Sequence, residues 1–173
     1  MTGQARHFGS LASWREIYPG LEKRMSRKDD TYTEETVMKI DGGCHCGNIT
    51  YTAEIDPENV GICHCTDCQT FSGSAFRTSV RATKEAFHLV GGPPKIYVKT
   101  AESGAKRAQA FCPECGTSIY SAAVTDPQVF NIRLGTAHQR GELRPKSQGW
   151  CRSARDWVND LQSIKQFAKQ RTS

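Results

Sequence analysis

The chain has 173 residues, with 23 Lys and Arg against 18 Asp and Glu, a net charge of +5 and 37% hydrophobic residues. That length suits one domain with its own core. The sequence has no apolar run near the roughly 18 residues of a membrane span and no signal-peptide core behind MTGQARHFGS, so a soluble, cytoplasmic protein is expected.

Residues 1–38 read as an N-terminal extension. LASWREIYPGLEKRM carries a weak helical stripe of Leu11, Trp14, Ile17 and Leu21, interrupted at Pro19-Gly20. The polar run RKDDTYTEET follows, so a short helix with a linker, or a disordered arm, is expected there. From residue 39 to about 170 the texture is that of a single domain of short strands. In NITYTAEI, the residues Ile49, Tyr51, Ala53 and Ile55 alternate with polar ones, predicting a half-buried strand. AFRTSV, FHLV, KIYV, KRAQAF, TSIYSAAV and VFNIRLG follow, each bounded by turn residues such as GGPP. The predicted class is mainly β. In the tail, Ser153 and Asp156 have capping-box spacing. Trp157, Leu161, Ile164 and Ala168 recur at helical spacing, predicting an amphipathic C-terminal helix packed on the sheet.

Seven of the eight cysteines fall into three groups: Cys44 and Cys46 in GGCHCG, Cys63, Cys65 and Cys68 in CHCTDC, and Cys112 and Cys115 in CPECG. Spacings of C-x-C and C-x-x-C strain a disulfide but suit two bonds to one metal, so zinc is the better reading. CPECG reads as a zinc knuckle, with Gly116 free to adopt the left-handed backbone that closes the turn. Cys44 and Cys46, among the flexible Gly42, Gly43 and Gly47, are the simplest second pair. Together the four make a closed structural site that clips two ends of the sheet.

The triplet is one ligand short. Three thiolates around zinc leave a fourth position open, as in catalytic sites, and their charge makes the ion a poor activator of water. Such a centre suits another soft ligand, so Cys63, Cys65 and Cys68 point to a thiol substrate. His45 and His64 lie between cysteines, but the middle residue of an extended C-x-C pair points to the opposite face. Cys151 is a candidate fourth thiolate, although a buried apolar cysteine is the preferred reading. His138 is preferred as a surface histidine over an acid–base group. Asp67 and Gln69 are candidate supporting groups. Arg77, Lys106 and Arg107 are candidate carboxylate partners, with water-facing strand residues as the plainer reading.

GGCHCGNITY, ICHCTDCQTFSGSAF, FCPECGTSIY and WCRSARDWV together resemble the glutathione-dependent formaldehyde-activating enzyme (GFA) family, which includes centromere protein V. The resemblance spans roughly residues 39–162 and implies a β-tent of antiparallel sheets around two zinc ions. It implies that Cys44, Cys46, Cys112 and Cys115 hold the structural zinc, and that Cys63, Cys65 and Cys68 hold the catalytic one. It further implies a carbon–sulfur lyase that joins glutathione to formaldehyde as S-hydroxymethylglutathione. Two other readings compete: a zinc-stabilised module that binds nucleic acid or protein, and an enzyme acting on a different electrophile or thiol. The sequence shows no aromatic-rich basic strand of the base-stacking kind, which counts against nucleic acid.

Overall fold

In a computed structural model, the structure describes residues 37–170. The expected helix and linker of residues 1–38 lie almost wholly outside them.

Among the described residues, ten strands form two sheets. The smaller has the order β1 (Met38–Gly43), β2 (Ile49–Ile55) and β5 (Phe87–Gly91), all antiparallel. The larger runs β10 (Ser147–Gly149), β3 (Gly61–Cys63), β4 (Arg77–Thr83), β9 (Val129–Arg133), β8 (Ser118–Ala123), β7 (Lys106–Phe111), β6 (Lys95–Thr100). Its pairs are antiparallel except β10 with β3. A short helix, α1 (Thr66–Ser72), follows β3 and stops at Gly73, whose φ of 61° only glycine adopts freely.

Period-two patterning decides which face each strand buries. In β2, Ile49, Tyr51, Ala53 and Ile55 are buried while Thr50, Thr52 and Glu54 are exposed. That apolar face meets Val80, Ala82, Ala110, Tyr120, Ala122 and Ile132 of the larger sheet in one core. Phe87, Tyr120 and Phe130 stack edge-on or tilted within it, at centroid separations of 5.0–5.5 Å. The opposite face of the larger sheet is polar. Gln109, Ser121 and Arg133 are buried there: Gln109 pairs Ser121, Ser121 pairs Asn131, and Arg133, two residues further along β9, pairs Ser79. The sheet therefore separates an apolar core from a polar floor.

The C-terminal helical segment is present, but as a 3-10 run, Asp156–Ser163, broken at Asp160. Trp157, Leu161, Ile164 and Phe167 are each about half exposed, so the expected packing of this stripe on the sheet does not occur. Ser153 does not cap it. The position before the run is Arg155, without a side-chain cap, and the Ser153 carbonyl instead accepts a bond from Gln69 Nε2 at 2.9 Å.

Candidate metal centres and the cavity beside them

The first cysteine centre lies where two hairpin turns face each other. Cys44 and Cys46 occupy the β1–β2 turn, and Cys112 and Cys115 the β7–β8 turn. The two turns close alike: Gly47 N donates to Cys44 O, and Gly116 N donates to Cys112 O. Both glycines have positive φ, 80° and 71°. His45 N donates to Thr117 Oγ1 across the junction at 3.1 Å. The clip thus joins turns of two different sheets, correcting the expectation of two ends of one sheet.

All four sulfurs lie within 4.8 Å of one another. Cys44 and Cys46 sulfurs are 3.5 Å apart, and Cys46 and Cys112 sulfurs 3.7 Å. A disulfide would require about 2.05 Å. A tetrahedron with zinc–sulfur bonds of about 2.3 Å has edges of about 3.8 Å, so the donor set fits zinc in number, type and size. Ile49 N donates to Cys44 Sγ at 3.2 Å, and the Cys115 sulfur lies 3.1 Å from Thr117 Oγ1. Contacts with Thr117 pull the Cys115 thiol down to about 5, whereas, against a backbone bond from Asn48, the Cys44 and Cys115 sulfurs push Cys46 up to about 12. Cys46 and Cys115 are exposed, so a metal here would be enclosed by the four sulfurs and not by burial.

The second cluster follows from the chain's path through CHCTDC. Cys63 ends β3, Cys65 is the residue before α1, and Cys68 sits in its first turn. The Cys65 sulfur accepts from Cys68 N at 3.4 Å and lies 3.5 Å from the Cys63 sulfur. The three sulfurs lie within 4.8 Å of one another, and among the described residues no fourth ligand joins them. The spacing again fits a zinc–thiolate tetrahedron with one vertex unfilled by protein. The Cys68 thiol is pulled down to about 5, chiefly by its contact with the Cys63 sulfur, with Arg77 adding to the pull against burial. Cys63 is pushed up by the same Cys68 contact. Arg77 Nη2 donates to Cys68 Sγ at 2.9 Å.

The triplet opens on a cavity of about 690 Å³ over the polar floor. Its walls include Arg77, Lys99, Arg107, Gln109, Arg133 and Trp150. Arg77 Nη1 and Arg133 Nη2 both donate to Gln109 Oε1, at 3.3 and 3.0 Å. Lys99 pairs with Asp67, and Arg152, stacked 4.7 Å over Trp150, pairs with Glu102. Trp150 holds φ 60° at the rim, a left-handed backbone that costs a non-glycine residue about 1–2 kcal/mol.

Several expected residues fall elsewhere. His64 is buried behind the triplet, its Nε2 2.8 Å from Gln148 Oε1, its Nδ1 buried without a partner and its ring edge-on to Phe76. His45 is exposed, and neither histidine joins a sulfur cluster. Cys151 is exposed and outside both clusters, which overturns the buried-cysteine reading and leaves it out of the triplet. His138 lies away from the cavity, its Nδ1 2.6 Å from Asp41 Oδ2. Gln69 ties the triplet loop to the tail, donating to His64 O and Ser153 O and accepting from Arg155. Arg77 and Arg107 line the cavity, whereas Lys106 does not. Sequence reasoning passed over Gln109, Arg133 and Lys99. The available signal was the polar member of each alternating strand, which normally means solvent.

A solved structure of a Rhodobacter sphaeroides protein resembles this chain with a TM-score of 0.49 at 16% identity, covering 62% of this chain and 98% of that one. The family description "Glutathione-dependent formaldehyde-activating enzyme" matches residues 39–153. With two-thirds of its length matched, and all seven clustered cysteines inside that span, the chain belongs to the glutathione-dependent formaldehyde-activating enzyme family.

Proposed function

We propose that the chain is a zinc-dependent carbon–sulfur lyase that adds a thiol, glutathione or a close analogue, to formaldehyde. The observation that carries this reading is the three-sulfur cluster of Cys63, Cys65 and Cys68, one ligand short and facing a cavity. Cys44, Cys46, Cys112 and Cys115 hold the structural ion in this reading, and the triplet holds the second. Zinc at the triplet would supply a soft acceptor for the substrate sulfur and keep that sulfur as a thiolate at neutral pH.

The chain's own residues do the rest. Arg77 fixes the Cys68 sulfur by a charge-assisted hydrogen bond, and Gln109 fixes Arg77, so the cluster is held from the floor of the cavity. The walls confine the two reactants, which converts a bimolecular addition into an effectively unimolecular one. In the net reaction one carbon–sulfur bond forms, the carbonyl π bond opens, and the thiol proton ends on the new hydroxyl. Nothing is oxidised. The competing reading as a binding module loses support because three of the basic residues, Arg77, Arg107 and Arg133, converge in a concavity. Among the described residues no helix is long and apolar enough to cross a membrane.

Native mass spectrometry with and without glutathione tests this reading. Two zinc ions and a glutathione adduct are expected, with Cys65→Ser losing one ion and the adduct. Cys65→Ser accelerating S-hydroxymethylglutathione formation over the uncatalysed reaction as much as the parent does, with rates followed by NMR, would refute it.

A further inference from the structure

The cavity contains more positive charge than its protein partners satisfy. Two carboxylates line it, and both are occupied: Asp67 by Lys99, and Glu102 by Arg152. Arg77 is committed to Cys68 and Gln109. Two guanidiniums remain. Arg133 is 6% exposed, bonded only to the neutral oxygens of Gln109 at 3.0 Å and Ser118 at 3.4 Å. Arg107 lies two residues before Gln109 on β7, partly exposed and in register with Lys99. Among the described residues neither has a carboxylate within 4.0 Å.

A guanidinium buried without a counter-charge is unfavourable, and a structural arginine in such a place ordinarily has an acid beside it. Arg133 is also pulled down to about 9, first by burial and then by neighbouring Arg77, with the Cys68 and Cys63 sulfurs opposing the shift without cancelling it. The floor thus holds two guanidiniums for which no carboxylate of the described residues is a partner. Arginine presents a planar fork that matches a carboxylate with two parallel bonds.

The positions set the ligand's dimensions. Arg133 shares the Gln109 oxygen with Arg77, which touches the Cys68 sulfur, so it lies close to the triplet. Arg107 lies one strand step beyond Gln109, roughly 6.7 Å further along β7. We propose that Arg133 and Arg107 form the carboxylate-recognition subsite of this cavity and select a thiol that bears two carboxylates over a neutral thiol. This rests on the reading that a thiol sulfur approaches the Cys63, Cys65 and Cys68 cluster.

Calorimetric titration of the zinc-loaded full chain with three ligands tests it. Glutathione has both functions, its diethyl ester keeps the thiol and masks both carboxylates, and S-methylglutathione keeps the carboxylates and blocks the thiol. The diester is expected to bind at least about tenfold more weakly than glutathione. Arg107→Ala, at a partly exposed position, is expected to weaken glutathione and S-methylglutathione about tenfold each while leaving the diester and the zinc content unchanged. Arg133→Lys, which keeps the charge and loses the fork, is expected to weaken the same two ligands. Equal binding of glutathione and its diester to the unaltered protein would overturn the proposal. So would an Arg107→Ala effect of equal size on all three. If Cys65→Ser binds glutathione undiminished, the thiol–metal reading fails separately, and the response of S-methylglutathione to Arg107→Ala still decides the subsite.

Discussion

Gln109→Glu is expected to move stability and binding in opposite directions. Gln109 is 4% exposed, and its Oε1 accepts from Arg133 at 3.0 Å and from Arg77 at 3.3 Å. A glutamate of nearly the same shape places a formal negative charge between two guanidiniums that are already desolvated or partly so. A hydrogen bond with one charged partner contributes about 1.5–3 kcal/mol, and pairing two charges strengthens it further, although burying the new carboxylate has its own cost. The shorter bond, to the more buried Arg133, dominates, and a net gain of about 1–2 kcal/mol follows. For a chain of this size that raises Tm by roughly 3–6 °C. The same charge fills the role assigned to the ligand, so affinity for S-methylglutathione is expected to fall at least about tenfold. Thermal denaturation at fixed zinc and calorimetry on the same preparation read both effects. A variant that is less stable and binds as well as the parent would refute the reasoning, because Arg133 would then have needed no anion.

Gly42→Ala is expected to destabilise by about 3 kcal/mol in urea denaturation, since a Cβ there would stand 2.6 Å from Tyr51 Oη and closer still to the Thr136 carbonyl. Chelator titration is expected to remove zinc in two phases, the three-ligand centre first with the fold retained, the four-ligand centre second with loss of structure by circular dichroism. Asp41 is held below its ordinary value of 3.8 by bonds from Gln139 and His138. A depressed carboxylate contributes stability that is present above the unfolded value and is lost as pH falls through the folded one. The stability difference between the parent and Asp41→Asn should therefore shrink as pH falls below about 4, as followed by urea midpoints across pH.

Seven strands were legible because their cause is local. Alternation in ITYTAEI or a turn at GGPP specifies a strand before any tertiary contact exists. The cysteine grouping was legible for the same reason: a C-x-C or C-x-x-C segment presents two sulfurs to one point whatever lies around it. The strands Met38–Gly43, Gly61–Cys63 and Ser147–Gly149 were missed because they are short or glycine-rich and form only against distant partners. The tail failed in the opposite sense. A helical stripe of Trp157, Leu161 and Ile164 states what the segment can bury, but among the described residues the stripe stays about half exposed.

By itself, then, the sequence determined the mainly-β class, the three cysteine groups and the family, because all three rest on short-range spacing, whereas the folded sheets bring Cys44 and Cys46 against Cys112 and Cys115. Tertiary structure alone decided that the polar side of the larger sheet faces a cavity. Alternation distinguishes one face of a strand from the other, but it cannot tell open water from an enclosed floor. Arg133 and Gln109 therefore read as ordinary outward residues of VFNIR and KRAQAF until the sheet brings the Arg133 side chain across β8 to Gln109. The sulfur chemistry is written locally in CHCTDC, whereas the charges facing it come from strands β4, β7 and β9, which only the folded sheet brings together.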